Sequence, residues 1–294
     1  MSKNNKFISW LILVVLALIW GSSFILIKRG LVVFSAGEVG ALRIITAALF
    51  LSPVAFSKLK SLNKPHFSLL FVVGLVGSFL PAFLFAKAQT QIDSAIAGVL
   101  NALTPFFVML IGVIVFKQSL FRNVIIGITI GLLGTVFLVM AGSGGSIGML
   151  NFYAFFIVVA TLCYGISVNL IKYRISDLKA MTITSVSMLL VAPFALIYLF
   201  TATDFVNKMS THSYAMSSLG YITLLGVLGT AIALVLFNHL IKITSPVFSS
   251  SVTYLIPIVA IVWGLIDGEV LLAGHYIGMA AIVGGVYLVN KKRR

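Results

Sequence analysis

Along the chain, apolar residues collect in runs of about 20, separated by short polar gaps, with no period-2 alternation inside the runs. An α-helix needs roughly 20 apolar residues to cross the hydrocarbon core of a bilayer, so each run predicts a membrane-spanning helix. The missing alternation argues against a β-barrel. Ten spans are predicted, near residues 8–27, 38–56, 67–86, 94–116 and 123–140, then 151–171, 180–200, 217–237, 246–266 and 271–289. The fold class expected is all-α integral membrane, and the fourth/fifth and ninth/tenth spans have very short connections.

The charges lie between the spans. If the N-terminus is cytoplasmic, ten spans bring the C-terminus back to the same side. Fifteen of the 20 basic residues then face the cytoplasm, among them Lys58, Lys117, Lys172, Lys242 and the final tetrad. Lys28, Arg29, Lys87 and Lys208 fall outside, and five of the six acids fall outside with them. Short loops rich in Lys and Arg stay cytoplasmic, so the sorting supports both the orientation and the count. Composition agrees: 61% of residues are hydrophobic and 9% charged, against about 25% charged in a soluble domain. The net charge of +14 would point to nucleic acid in a soluble protein, but in these gaps it is a topology signal and no nucleic-acid partner is expected. The first run is too long for a signal-peptide core and is followed by Lys28 and Arg29, which predicts a retained helix. A single cysteine, Cys163, leaves no intramolecular disulfide.

The two halves of the chain resemble each other. "GLVGSFLPAFLF" from Gly74 matches "GVLGTAIALVLF" from Gly226, and Gly77/Gly229, Phe85/Phe237, Asn101/Thr253 and Pro105/Pro257 keep the same spacing. "WGSSF" at Trp20 lines up with "YGISV" at Tyr164. The expected units are residues 1–140 and 151–294, joined by the Gly-rich linker "AGSGGSIGML" at 141–150. Five spans per half force the halves to cross the membrane in opposite senses, and inverted repeats recur in secondary transporters.

Order, spacing and duplication together resemble the drug/metabolite transporter superfamily and, within it, the EamA family of ten-helix carriers. The resemblance rests on "ALIWGSSFILIK" (17–28), "ALRIITAALFLSP" (41–53), "SAIAGVLNALTPFFVMLIGVIVF" (94–116), "SPVFSSSVTYLIPIVAIVWGLIDGE" (245–269) and "GHYIGMAAIVGGVYLV" (274–289). It implies two inverted five-helix bundles around a central cavity. It further implies export or exchange of small metabolites, amino acids included, across the cytoplasmic (inner) membrane of a bacterium. The family often carries Glu after the fourth and the ninth helix; here Glu269 follows the ninth, but Gln118 stands after the fourth.

Candidate site residues follow from polar and aromatic positions inside the spans. Trp20 and Ser23 stand on the first span, and Asn101 and Thr104, three apart, share a face of the fourth. Tyr164 and Ser167 are on the sixth, and Ser250, Thr253 and Tyr254 are on the ninth. Pro105 and Pro257 each free a backbone carbonyl that lipid cannot satisfy, so those faces meet either protein or a wet cavity. Arg43 lies within the second span, where it can snorkel to headgroups or pair with a substrate carboxylate or a backbone carbonyl. No carboxylate stands deep in a span, which points to a neutral, polar-aromatic cavity for mostly neutral or zwitterionic molecules. Gly127, Gly131 and Gly134 on the fifth span and Gly274, Gly278 and Gly285 on the tenth predict close helix contact. HExxH and P-loop patterns are absent and the histidines are scattered, so no catalytic residue, metal or cofactor is expected. The expected partners are a small-molecule substrate and the lipid bilayer, with the chain a monomer or homodimer. A passive facilitator, a lipid translocator and a membrane-embedded enzyme are the alternatives.

Overall fold

The computed structural model describes residues 3–92, 94–119, 121–142, 152–266 and 273–290. Among them the secondary structure is helical throughout. The first half comprises α1 (Lys3–Gly30), α2 (Ala36–Leu59), α3 (Lys64–Ala88), α4 (Ser94–Asn101), α5 (Thr104–Ile114) and α6 (Arg122–Gly142). The second comprises α7 (Tyr153–Tyr173), α8 (Ala180–Thr201), the short α9 (Phe205–Thr211), α10 (Ala215–Ile243), α11 (Pro246–Ser250), α12 (Val252–Ile266) and α13 (Ala273–Asn290). Six of the helices are long and apolar enough to cross a membrane, and shorter apolar stretches lie at Thr104–Ile114, Arg122–Phe137, Pro246–Val259 and Tyr276–Val289. The Gly-rich linker expected at 141–150, and Glu269, lie at or beyond the edges of the described residues.

Helix starts follow local chemistry. Ser35 and Glu38 form a reciprocal capping box at the head of α2, which satisfies two otherwise orphaned N–H groups. Asn63 caps α3 through His66 N, with Pro65 in the first turn. Ser245 caps α11 through Phe248 N, with Pro246 beside it. Two expected spans are not continuous helices. The fourth run breaks into α4 and α5 ahead of Pro105, and the ninth breaks at Ser251 into α11 and α12. Pro105 has no N–H for the Asn101 carbonyl, and the Thr104 hydroxyl donates to that carbonyl at 2.8 Å instead. At the second break Ser249, Ser250 and Ser251 each turn their hydroxyl back onto a carbonyl three or four residues earlier, a pattern that bends helices.

Both α3 and α10 contain a wide π-helical stretch, at Leu75–Phe79 and Leu225–Ile232. In α3 the cause is visible: Pro81 cannot donate to Gly77, and the Leu80 N–H reaches back to the Leu75 carbonyl. Packing is tight where the sequence is small. A side chain on Gly127 of α6 would lie 2.7 Å from the Gly285 carbonyl of α13, as the small-residue faces of the fifth and tenth runs predict. Large apolar side chains such as Phe7, Leu49, Ile114, Phe152 and Met216 point outward, a surface suited to lipid. Inside, three apolar clusters form, and a cavity opens where they meet.

Candidate functional site

The cavity measures about 910 Å³, counting the part open to solvent, and is walled by α1, α2, α3, α4, α5, α7, α10 and α12. Its wall is built in matched pairs. Trp20 and Ser23 of α1 face it, as do Tyr164 and Ser167 at the corresponding positions of α7. Gly77, Ser78 and Phe85 of α3 face it, as do Gly229, Thr230 and Phe237 of α10. Asn101 of α4 is answered by Thr253 of α12, and Thr104 of α5 by Ile256.

Contacts across the wall repeat the pairing. The Trp20 ring packs edge-on against Phe237 at 5.1 Å, and Tyr164 stacks on Phe85 at 6.1 Å. Gly229 lies against Ser23, where an added Cβ would come within 2.9 Å of its hydroxyl, and Gly77 lies still closer to Ser167. Glycine fits there because a side chain would run into the facing serine hydroxyl. The π-helical stretches of α3 and α10 carry these glycines to the wall, and such bulges are frequent at functional sites.

Some polar groups in the wall are already used. Trp20 Nε1 donates to the Gly229 carbonyl at 2.9 Å, which leaves only the indole face for a ligand. Ser23 bonds back to the Ile19 carbonyl, and Thr253 to Ser250 O. Asn238 Nδ2 donates to Thr184 Oγ1 at 2.8 Å. Others remain available: the Tyr164 and Ser167 hydroxyls and the Asn101 Nδ2 group have no hydrogen-bond partner among the described residues. Arg43 turns inward rather than toward headgroups, and its Nε donates to Thr230 Oγ1 at 2.6 Å.

Eight of the ten residues singled out in the sequence thus stand on one cavity wall. Ser250 and Tyr254 do not. Ser250 is fully buried with its hydroxyl on the Val247 carbonyl. Tyr254 is fully buried against Gly131, and its hydroxyl donates to Ile128 O at 3.1 Å. The break at Ser251 separates Ser250 from the helix that carries Thr253, and Tyr254, next to Thr253 on α12, points about 100° away from it. Asn169 is likewise structural, bonding the Val108 and Gly165 carbonyls. His239 is exposed on the outer side of α10. Thr230 was missed, although its alignment with Ser78 in the repeat was a usable signal. Ile27, Ile171 and Leu234 were missed because an apolar lining residue carries no mark in an apolar helix. Among the described residues no group of three or more His, Cys, Asp or Glu could hold a metal.

Residues 8–140 and 151–291 both match the EamA-like transporter family. The chain belongs to that family. Among its relatives is the uncharacterized inner membrane transporter YedA of Escherichia coli K12, 27% identical over 94% of this chain and 88% of that protein. An uncharacterized transporter of Archaeoglobus fulgidus is 23% identical over 97% of this chain and 99% of its own. A probable amino-acid metabolite efflux pump of Salmonella typhimurium is 30% identical over 49% of this chain and 46% of its own. A solved crystal structure shares the fold, with a TM-score of 0.73 over 95% of both chains at 18% identity. This EamA-like protein is therefore a multi-pass membrane transporter.

Proposed function

We propose that this EamA-like protein is a secondary transporter, an exporter or exchanger, working in the bacterial cytoplasmic (inner) membrane. It moves small, mostly neutral or zwitterionic metabolites such as amino acids by alternating access. The observation that carries this reading is the paired wall: Trp20/Tyr164, Ser23/Ser167, Gly77/Gly229, Phe85/Phe237 and Asn101/Thr253 occupy equivalent positions of the two halves and line one cavity. A site shared by two similar, oppositely oriented halves can exchange the roles of those halves, opening to one side and then the other. The reading takes the chain as ten spans in two inverted five-span repeats, with both termini cytoplasmic. The two separate family matches and the named activity of the Salmonella relative support it. The reading takes one chain as the transport unit, alone or within a homodimer.

The deciding experiment is counterflow in proteoliposomes. Vesicles are preloaded with unlabelled amino acids, nucleosides or sugars, one class at a time, and uptake of the labelled counterpart is followed with and without a pH gradient. Transient accumulation of amino acids is expected. Downhill leak without accumulation in every class would instead indicate a passive facilitator, and lipid movement without solute movement a translocator.

A further inference from the structure

We propose that Arg43 is the docking point for the carboxylate of the transported solute, amino acids included, so that the cavity accepts zwitterions, holds small monoanions with an apolar body more tightly still, and excludes cations. The inference rests on the cavity being the transport site.

Arg43 lies seven residues into α2, roughly 10 Å from its start, and its partly buried side chain faces the cavity. The bond from Nε to Thr230 Oγ1 fixes the plane of the guanidinium. Its two Nη groups have no hydrogen-bond partner among the described residues. Among the described residues no carboxylate lines the cavity. The nearest acid along α2, Glu38, is held by Lys208 at 2.6 Å and by the Ser35 backbone. A cation in an enclosed site without a counter-charge is costly, and this one is aimed rather than free. The edge it presents is a two-nitrogen fork that matches the two oxygens of a carboxylate.

The groups beside it are complementary in the same sense. The Tyr164 hydroxyl lines the same cavity as a free donor, and Asn101 Nδ2 adds a second. Among the described lining residues an ammonium group would find hydroxyl and carbonyl oxygens and ring faces, with no acid to neutralise it. A monoanion leaves the loaded site neutral, a zwitterion leaves it at +1, and a cation meets like charge. Phe24, Ile27, Phe85 and Ile256 make the rest of the wall apolar, which suits an aliphatic or aromatic remainder. A phosphate dianion would overcompensate the single guanidinium.

The test is thermal unfolding of the full chain purified in detergent, at constant ionic strength, with sodium acetate, benzoate, N-acetyl-leucine, leucine, leucinamide or inorganic phosphate. Carboxylates are expected to raise Tm, N-acetyl-leucine more than leucine, while leucinamide and phosphate leave it unchanged. Arg43→Gln should weaken N-acetyl-leucine binding at least tenfold and leave the ligand-free Tm equal or higher, because an uncompensated charge has been removed. Arg43→Lys, which keeps the charge without the fork, should keep the preference for carboxylates with weaker binding, and it decides the matter if Arg43→Gln does not fold. The proposal is overturned if no carboxylate shifts Tm, if N-acetyl-leucine and leucinamide shift it equally, or if either variant keeps full carboxylate affinity. Counterflow separates the two readings. Ligand stabilisation without counterflow sinks the transport reading alone, and counterflow indifferent to the head group sinks this one alone.

Discussion

At the break between α4 and α5, Asn101 serves two neighbours at once. Its carbonyl takes the Thr104 hydroxyl that stands in for the missing N–H of Pro105, and its amide NH2 is left facing the cavity. Asn101→Ala should therefore spare the fold and weaken solute binding. Losing a donor to a bound polar group costs about 1–3 kcal/mol, so the counterflow KM should rise between about 5-fold and about 150-fold at normal expression. An unchanged KM would remove Asn101 from the site. Tyr254 provides the contrasting case, since its hydroxyl is spent on Ile128 O within the core. Tyr254→Phe should cost about 1 kcal/mol of stability, read as a lower Tm, and leave KM unchanged. A rise in KM with unaltered Tm would put Tyr254 back at the substrate. In the sequence these two residues looked alike, as polar groups in apolar spans with Pro105 and Pro257 close behind. Nothing in a residue's type tells whether its polar atom meets a ligand or a neighbouring carbonyl; that depends on where a partner helix ends up.

Between elements, the decisive contacts are the two crossings where a π-helical stretch meets a serine of the other half: Gly77 of α3 on Ser167 of α7, and Gly229 of α10 on Ser23 of α1. An added methyl at Gly77 runs into the Ser167 hydroxyl. Overpacking of this kind costs about 1–3 kcal/mol, so Gly77→Ala should lower both Tm and the transport rate. The double substitution Gly77→Ala with Ser167→Ala removes the obstructing oxygen and should recover most of the lost Tm. Failure of the second change to rescue the first would mean that the crossing is not what requires glycine. The glycines themselves were legible, because the internal repeat aligns Gly77 with Gly229. The π-helical hydrogen bonding around them was not. It alters only which carbonyl an N–H reaches, and any apolar stretch can carry it with no change in composition. The breaks were legible by halves. Pro105 announced the first, whereas the second falls at Ser251, six residues before Pro257, where three consecutive serine hydroxyls compete for the helix's own carbonyls. Helix existence and the apolar faces followed from run length and small-residue spacing; the rotation of a face past a break needed coordinates.

Over the whole molecule, two fasteners hold the helix ends on opposite sides of the cavity. At the end where α1 finishes and α2 begins, the fully buried Glu38 carboxylate pairs with Lys208 of α9 at 2.6 Å. At the other end, Lys172 of α7 donates to the Ile241, Lys242 and Thr244 carbonyls at the close of α10, and Lys242 donates to the Leu178 carbonyl. Lys172 and Lys242 belong to the basic set expected in the cytoplasm; their partners were not readable, because backbone carbonyls have no sequence signature. If the halves rock about the cavity, each fastener resists opening at its own end, and releasing one shifts the population toward the state open there. Each 1.4 kcal/mol of lost closure changes that ratio about tenfold. Cys163, the single cysteine, is buried, so a Cys163→Ser background permits one reporter thiol, Ser78→Cys, on the cavity wall. With a membrane-impermeant maleimide and oriented vesicles, Lys172→Met should speed labelling several-fold from the cytoplasmic side and slow it from outside. Glu38→Gln should do the reverse. Two variants that open the same side, or labelling rates that neither variant changes, would contradict alternating access about this cavity even if solute transport were confirmed.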